Sequence, residues 1–482
     1  MVWSFVQTFG RQGINFLFFA VLAIKLTPDE LGVVGIAIVV SAFIQGFSEL
    51  GFGAALIQKK NTTNGHYSSV FFANLLLGVT LAVICFLFAD VISAAFNSDR
   101  IAPILRVLSI GFIVNSSSLS HIALLQKELR FRDLAKRDVC ASIAGAIAGI
   151  TAVFSGAGVW SIVAQLITYY IVGAVIVWYL SAWRPHYKEF SSECIRDLWP
   201  YSSKILMTNV LNFGVKNTDK ILIGGALGTY ALGIYTFAYN LVLLPITSIN
   251  SAIGAYLFPK YSAMQDEVNM VRSSYLSVLK LTLLCMAPFI IVFSQTAHIF
   301  VDLIWGDTWS DAIPTMKVLC ALAIIGSFVA PSGQLMKSFG RPDWLLYWAI
   351  FTVIVQGVLI YIGVNIAGLL GASLGLLLSC VLSIPIVIFI SNQLIGLSAT
   401  LTIKLIGPII MASVCMLLIF LGAEFYGYQE VLSLSVATMV AIIVYITVLV
   451  CMDSSVKNTA KLLLSGETRI VKLFKLLGSH SY

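Results

Sequence analysis

Charge is scarce in this sequence. Charged residues make up only 11% of its 482 positions, whereas hydrophobic residues make up 59%. A soluble domain typically has about 25% charged residues, which it needs to cover its surface. A chain this apolar is stable only with lipid as its solvent. The composition therefore excludes an ordinary soluble enzyme or binding module. No long Pro-, Gly- or Ser-rich stretch occurs, which predicts one membrane body without linkers.

Motifs of catalysis and metal binding are also absent from the sequence. No Walker A, H-E-x-x-H or G-x-S-x-G motif occurs, and the five histidines are scattered. The eight cysteines show no C-x-x-C spacing, so we expect them to pack as small hydrophobic residues. The predicted outer loops, such as Thr27–Glu30 and Ser155–Gly158, are too short to hold a catalytic loop. We therefore predict that the protein is not an enzyme and has no cofactor and no metal.

Long apolar runs are what the sequence has in abundance. About fourteen runs approach the roughly 20 residues that a transmembrane helix needs. They cover residues 3–26, 31–57, 66–95, 103–125, 139–155, 158–180, 201–226, 230–258, 276–301, 312–336, 343–363, 366–390, 404–423 and 430–451. This pattern predicts an all-α integral membrane protein with about 14 transmembrane helices, in two pseudo-symmetric six-helix lobes plus two C-terminal spans.

The predicted organisation has four parts. They are an N-terminal six-helix lobe with a cytoplasmic connector (1–190), a C-terminal six-helix lobe (191–395), two additional transmembrane helices (396–452) and a cytoplasmic amphipathic tail (453–482). In the tail, apolar residues recur at helical spacing with lysines among them, which is typical of a helix lying on a membrane surface. Arg11 and Asn15 interrupt the first apolar run, and no basic segment precedes it. We therefore expect a retained span rather than a cleaved signal peptide.

The distribution of Lys and Arg predicts the orientation. The net charge is +7, and the cation positions favour orientation in a membrane over binding to nucleic acid. If the N-terminus is cytoplasmic, most cations fall on the cytoplasmic side, as the positive-inside rule requires. Only Lys25, Arg100 and Arg106 fall at the opposite face. We predict that both termini and the loop Gln126–Asp138 are cytoplasmic.

An internal duplication is visible at an offset of 201 residues. Leu31-Gly32 aligns with Leu232-Gly233, and Lys59 aligns with Lys260. Six predicted spans separate the two copies, so both copies point the same way through the membrane. Parallel repeats of this kind form two lobes related by an axis along the membrane normal.

Polar residues repeat with the same offset, on one side of each helix. The candidate substrate-binding residues are Arg11, Asn15, Gln45, Asn212, Lys216 and Lys220, and the candidate ion-coupling residues are Glu49 and Asp219. A charged residue inside the bilayer costs about 2.5–3.5 kcal/mol, so it persists where it meets water, a partner or a substrate. One interpretation is that Lys216 and Asp219, at positions i and i+3, only neutralise each other. A hydrated, net-positive cavity accounts for the whole set and suits an anionic substrate.

The residues also resemble a known family. The stretches Leu26-Thr27-Pro28-Asp29-Glu30-Leu31-Gly32 and Phe47–Lys60 are similar to the polysaccharide transporter family of Wzx-like oligosaccharide flippases. The nearest resemblance is to its colanic acid and teichuronic acid exporter branch, within the multidrug/oligosaccharidyl-lipid/polysaccharide exporter superfamily. Asn217–Gly224 and Ala231–Tyr235 carry the resemblance into the second half. One departure is that family members usually have a short basic segment before the first span.

The resemblance implies a flippase that moves undecaprenyl-pyrophosphate-linked oligosaccharide repeat units across the bacterial inner membrane by alternating access. It implies a lining made mainly by spans 1, 2, 7 and 8, with the lipid-linked oligosaccharide, membrane lipids and polysaccharide polymerase or export proteins as partners. Two alternatives remain at this point. One is a multidrug/cation antiporter of the same superfamily, which would favour an acidic cavity, and the other is a membrane enzyme or scaffold.

Overall fold

The computed structural model describes residues 2–48, 50–59, 61–425, 431–453 and 456. All regular secondary structure in these residues is helical. The α-helices are α1 (Val2–Lys25), α2 (Pro28–Ser48), α3 (Phe52–Gln58), α4 (Asn64–Ala95), α5 (Ile101–Lys127), α6 (Phe131–Phe154), α7 (Trp160–Leu180), α8 (Ser192–Ala263), α9 (Val268–Trp305), α10 (Ala312–Ser338), α11 (Pro342–Ile395), α12 (Ala399–Phe425) and α13 (Val431–Met452). Short 3-10 helices lie at Tyr187–Glu189 and Asp307–Trp309.

The helices have the length and composition of membrane spans. In the described part of the chain, 10 helices are long and apolar enough to cross a bilayer. A helix satisfies its backbone hydrogen bonds internally, which a segment surrounded by lipid must do. The predicted all-α membrane fold is confirmed, whereas the count of fourteen spans stays a prediction.

Two of the long helices are interrupted near positions where the sequence predicts short turns. In α8 the backbone leaves the helical conformation at Gly228, with φ 80°. In α11 it does so at Ala367 and Gly368, the latter with φ 56°. A positive φ is accessible to glycine because it has no Cβ. Each break divides its helix into two segments that are both long enough for a bilayer.

The predicted second span is wrong as a single helix. The apolar run 31–57 forms α2 and α3, because Leu50 (φ 42°) and Gly51 (φ 74°) adopt the left-handed conformation between them. A Cβ on Gly51 would lie 2.6 Å from the carbonyl oxygen of Ser202. The turn therefore requires glycine for its conformation and for its close approach to α8.

The predicted cytoplasmic loop Gln126–Asp138 is also corrected. Helix α5 continues to Lys127 and α6 begins at Phe131, so the connection is a short turn at residues 128–130. The apolar run that predicts a span over 139–155 misses the first two turns of α6, because these turns are rich in charge. The charged side chains of those turns belong to a helix, and two of them are buried.

The chain divides into two compact units, Met1–Phe237 and Ala238–Tyr482. In the first unit, α1 lies alongside α6 in the same direction. The Arg132 guanidinium lies 5.4 Å from the Trp3 ring centroid, and a Cβ on Gly149 would lie 2.7 Å from Cζ of Phe18. In both contacts the α6 residue follows its α1 partner by nearly the same number of positions. The two helices therefore run parallel.

The second unit has a core built from the C-terminal end of α8 and from α9, α10, α11, α12 and α13. Tyr275, Ala412 and Ala441 are among its buried residues, and the Tyr445 hydroxyl donates to the Leu284 carbonyl at 3.1 Å. Lys280 of α9 forms a buried ion pair with Asp453, at 2.5 Å. The predicted tail lies outside the described residues from 457 onward.

Candidate functional site

Three side chains on one side of α1 differ in exposure along the helix. Arg11, Phe18 and Leu22 lie within about 40° of each other around the helix axis. Phe18 is 5% exposed and Leu22 is fully buried, whereas Arg11 is exposed. The exposed apolar residues Leu17 and Ile24 lie about 120–140° away, on the side that suits lipid. Arg11 therefore does not share the lipid side, and its side of α1 is exposed at Arg11 and buried further along the helix, at Phe18 and Leu22.

The first segment of α8 repeats this pattern. Asn212 and Lys216 are exposed, whereas Asp219 and Ile223, further along the same side, are only 3% and 1% exposed. The exposed apolar residue Met207 lies about 140–180° around the helix from the two polar residues. The polar side of α8 is therefore also open toward its N-terminal end and closed beyond it.

The two patterns correspond residue by residue at the offset of 201. Arg11 corresponds to Asn212 and both are exposed, whereas Leu22 corresponds to Ile223 and both are buried. Asn15, which is half-buried, corresponds to the exposed Lys216. We call Arg11, Asn15, Asn212 and Lys216 the open face. It carries two positive charges and no carboxylate.

A contact between α2 and α8, which we call the glycine contact, shows the same duplication. A Cβ on Gly32 would overlap the carbonyl oxygen of Thr229, and a Cβ on Gly233 would overlap that of Pro28. Gly32 corresponds to Gly233 and Pro28 to Thr229, so the contact is reciprocal, as a twofold axis requires. Gly35 faces its own counterpart: its Cβ would lie 3.1 Å from Thr236 Oγ1. The Thr229 hydroxyl also donates to Asp29. Small residues allow this close approach of two membrane helices.

The ion-coupling candidate Asp219 has a tyrosine as its partner. The Tyr235 hydroxyl donates to Asp219 Oδ2 at 2.5 Å, and the tyrosine is fully buried. Within the described residues, no ion pair joins Asp219 to Lys216. Lys216 is exposed whereas Asp219 is buried, so the described contacts do not support the self-neutralising pair, and the role of Lys216 stays a prediction. Lys220 is half-buried.

Two predicted site residues cannot be placed. The backbone of Gln45 lies in α2, but its side chain is outside the described part of the structure, and Glu49 is outside the described residues. Their proposed roles stay predictions.

The structure also shows a buried polar cluster that the sequence reasoning missed. Arg137 and Asp138 of α6 are 7% and 5% exposed, and Asp138 accepts a hydrogen bond from Gln7 of α1. The sequence does not reveal this cluster, because the charges around Arg137 predict an exposed cytoplasmic loop rather than a buried helix turn. Leu134 and Ala141 could have indicated it. They share one helical face with Asp138, and this spacing predicts that α6 begins before residue 139.

The long apolar helices define a multi-pass membrane protein, and the comparisons with known proteins place it among transporters. The pattern of the family described as "Polysaccharide biosynthesis protein" matches residues 21–314, and the chain belongs to this family. It is 26% identical over 370 residues to the teichuronic acid biosynthesis protein TuaB of Bacillus subtilis, covering 76% of each chain. It is 26% identical to the lipopolysaccharide biosynthesis protein WzxC of Escherichia coli, covering 78% of this chain and 77% of that one. The resemblance to Wzx-like flippases is thus confirmed.

Solved structures show the same fold at low identity. A structure titled lipid II flippase MurJ, inward closed conformation, has a TM-score of 0.76 and 14% identity, covering 93% of this chain and 97% of that one. An inward-facing multidrug resistance MATE family transporter has a TM-score of 0.65 and 18% identity, covering 80% and 94%. At these identities the likeness concerns the fold alone.

Proposed function

We propose that the protein is a flippase for undecaprenyl-pyrophosphate-linked oligosaccharide repeat units. It moves them across the bacterial inner membrane for the synthesis of a cell-surface polysaccharide, by alternating access through a cationic cavity. The observation that carries the proposal is the open face, where Arg11 and Lys216 are exposed away from the lipid side of their helices. The relatives named for polysaccharide synthesis support the substrate class.

The chemistry of the substrate fits this face. A pyrophosphate that enters a partly dehydrated site needs fixed positive charge, because Coulomb attraction grows as the effective dielectric constant falls. Arginine can hold two phosphate oxygens at once, and lysine supplies a mobile point charge. Asn15 and Asn212 add neutral hydrogen-bonding groups for sugar hydroxyls.

The topology is part of the proposal. Counting each segment of α8 and α11 separately, and α2 with α3 as one, we propose fourteen spans with both termini cytoplasmic. The lobes at 1–190 and 191–395, the two additional spans and the tail keep the roles predicted above. A polysaccharide polymerase or export protein is the expected protein partner.

The cation antiporter is disfavoured by the charge of the open face. Such a transporter needs carboxylates where its substrate binds, and the turns from residue 7 to 15 and from 208 to 216 contain no Asp or Glu. Asp219 lies on the same side of α8 but is buried.

Reconstitution tests the proposed function. The purified protein is placed in liposomes with a defined undecaprenyl-pyrophosphate oligosaccharide, and transfer between leaflets is followed by access of a glycosidase to the sugar. We expect transfer well above that of protein-free liposomes, and much slower transfer of the same oligosaccharide on a neutral lipid. Transfer at the protein-free rate, or transport of a cationic dye instead, would contradict the proposal.

A further inference from the structure

The buried polar cluster joins three helices of the first unit. Arg137 Nη1 donates to Asp138 Oδ1 at 2.7 Å, and Gln7 Nε2 donates to Asp138 Oδ2 at 2.6 Å. Arg137 Nε donates to the carbonyl oxygen of Gly173 in α7 at 3.1 Å. Both carboxylate oxygens therefore have a donor, one from α6 itself and one from α1. We call Gln7, Arg137 and Asp138 the polar clamp.

The site for the guanidinium depends on a glycine. A Cβ on Gly173 would lie 3.0 Å from Arg137 Nη2 and 3.3 Å from Nε. These distances are tighter than ordinary contacts, so a larger residue would displace the guanidinium. The absence of a side chain at this position of α7 makes room for the buried charge.

A buried ion pair needs an explanation beyond stability. Desolvation of two charges can exceed their mutual attraction, so such a pair is weak evidence of stabilisation. Its geometric specificity is greater, because hydrogen bonds have a preferred direction and apolar contacts do not. Other contacts of α1 with α6 are less directional: Phe18 packs on Gly149, and the Arg132 guanidinium lies over the Trp3 ring.

The clamp acts on the turn of α1 that precedes the open face. Gln7 and Arg11 are four residues apart, which places them one turn apart and about 40° from each other around the axis. A rotation of α1 that moved Arg11 toward the lipid side would also withdraw the Gln7 amide from Asp138. The hydrogen bond between α1 and α6 therefore sets the direction in which the Arg11 side chain points.

We propose that Gln7, Asp138 and Arg137 are positioning residues, which hold α1 in the rotation that presents Arg11 to the anionic group of the substrate. This inference rests on the proposed function, in which Arg11 contacts the pyrophosphate. The clamp residues need not touch the substrate themselves.

Gln7→Ala is the cleanest variant, because it releases α1 and leaves the Arg137–Asp138 pair intact. The full-length protein is reconstituted, and the transfer rate is measured against the concentration of undecaprenyl-pyrophosphate oligosaccharide. We expect the half-saturating concentration to rise about tenfold, the value for one hydrogen bond to a charged group. Protein level and thermal midpoint should stay close to those of the wild type. Gln12→Ala is the matched control, because its amide oxygen is buried without a hydrogen-bond partner in the described structure.

A reciprocal exchange separates positioning from a merely structural role. Gln7→Glu alone places two carboxylates together and should impair substrate affinity as Gln7→Ala does. Gln7→Glu with Asp138→Asn restores a donor–acceptor pair in the opposite direction, and should return the half-saturating concentration to within about threefold of wild type. Wild-type affinity in Gln7→Ala would overturn the inference. A loss of stability that accounts for the whole defect, with no rescue by the exchange, would also overturn it.

A second readout does not depend on transport. Arg11→Cys in a background without native cysteines reports how a water-soluble thiol reagent reaches this position. We expect Gln7→Ala to change the labelling rate at least threefold, and an unchanged rate would overturn the clamp. If the wild-type protein transfers no lipid-linked oligosaccharide, the proposed function fails, and this labelling still decides whether the clamp exists.

Discussion

Charged side chains such as Arg11 and Lys216 have a high free-energy cost inside a bilayer, and their surroundings explain how they are tolerated. Neither lies on the lipid side of its helix, and both are exposed next to a buried stretch of the same side. The equivalent positions hold different residue types: Arg11 corresponds to Asn212, and Asn15 to Lys216. Each repeat thus contributes one cation and one amide. Lys216 corresponds to Asn15, so the two cations occupy repeat positions that are one helical turn apart.

Removal of either cation is expected to reduce export strongly without loss of protein. In the proposed function Lys216→Ala removes a charged hydrogen bond to phosphate, so we expect polysaccharide export to fall about tenfold or more. The variant should still insert normally, because a neutral residue enters the membrane more easily. Lys216→Arg should be milder because the charge is retained, and Arg11→Ala should behave like Lys216→Ala. Export is measured as surface polysaccharide at equal protein level in a deletion strain.

The matched control is Lys188→Ala, which removes an exposed lysine from the segment between α7 and α8. It should export at the wild-type level. Adding Asp219→Ala to Lys216→Ala tests the self-neutralising pair directly. If the second substitution restored export, the pair interpretation would be right after all, and the substrate role of Lys216 would be wrong.

Asp219 is a candidate for ion coupling rather than for substrate binding, because it is buried beside a tyrosine rather than exposed. Asp219→Asn removes the negative charge and keeps an oxygen that can accept the Tyr235 hydrogen bond. If this carboxylate carries the coupling ion, transfer by the variant should no longer respond to a sodium or proton gradient. Initial rates in proteoliposomes with and without each gradient measure this. Tyr235→Phe keeps the charge and should keep the response. An Asp219→Asn protein with a wild-type response would exclude the role.

The residues of the site divide into those that a sequence can reveal and those that it cannot. The polar side of α8 follows from helical periodicity alone, since Asn212, Lys216 and Asp219 recur on one face. Their partners do not follow from it. Tyr235 lies beyond the break at Gly228, and Gln7 is 131 positions from Asp138. Only the packing of whole helices brings such groups together.

Helices were predictable where the apolar run and the helix coincide. The break in α8 was expected because a polar turn interrupts the run at Gly228–Thr229. The break between α2 and α3 was not, because the run Phe52–Ile57 stays apolar after Gly51. Its cause is tertiary: Gly51 lies against the backbone of Ser202. The predicted start of α6 is too late for a different reason: its first turns are rich in charge and yet helical, with Arg137 and Asp138 buried and Arg132 and Lys136 exposed.

The glycine contact predicts that substitutions in α2 and in α8 lower the stability of the protein to a similar extent. Gly32→Ala and Gly233→Ala each place a Cβ onto a carbonyl oxygen of the opposite helix, and overpacking of this kind costs about 1–3 kcal/mol. The contact is reciprocal, so we expect both variants to lower the thermal midpoint by similar amounts. Unfolding of the purified protein in detergent measures it.

Gly225→Ala in the same part of α8 is the control for helix propensity. No atom lies within 4 Å of its added Cβ, so this variant should be unchanged or slightly more stable than wild type. Equal thermal midpoints of Gly32→Ala and Gly225→Ala would mean that the close approach of α2 and α8 does not contribute to stability.

For the whole molecule, charge asymmetry predicts the orientation, and the structure adds that some of these charges have structural roles. Lys127 Nζ donates to the carbonyl oxygens of Leu56 and Lys59 at 3.0 and 2.6 Å, at the end of α3. Lys59 pairs with Asp197 at the start of α8. A cation that satisfies the C-terminal carbonyls of a helix stabilises that end independently of topology. Some of these cations would therefore occupy their positions in either orientation, so only a direct measurement of topology decides between the two.

Single-cysteine labelling in spheroplasts provides this test. In a background without the eight native cysteines, a cysteine is placed at Leu129, in the exposed turn between α5 and α6, or at Asp99 or Asp307, which are exposed at helix ends. The positive-inside rule assigns the first position to the cytoplasm because Lys127, Arg130 and Arg132 surround it. An impermeant thiol reagent should therefore modify Asp99→Cys and Asp307→Cys but leave Leu129→Cys unmodified. Permeabilised spheroplasts should label Leu129→Cys as well, which shows that the turn is accessible. Labelling of Leu129→Cys before permeabilisation would reverse the orientation, and the open face would then be open toward the outside, where a flippase releases its substrate.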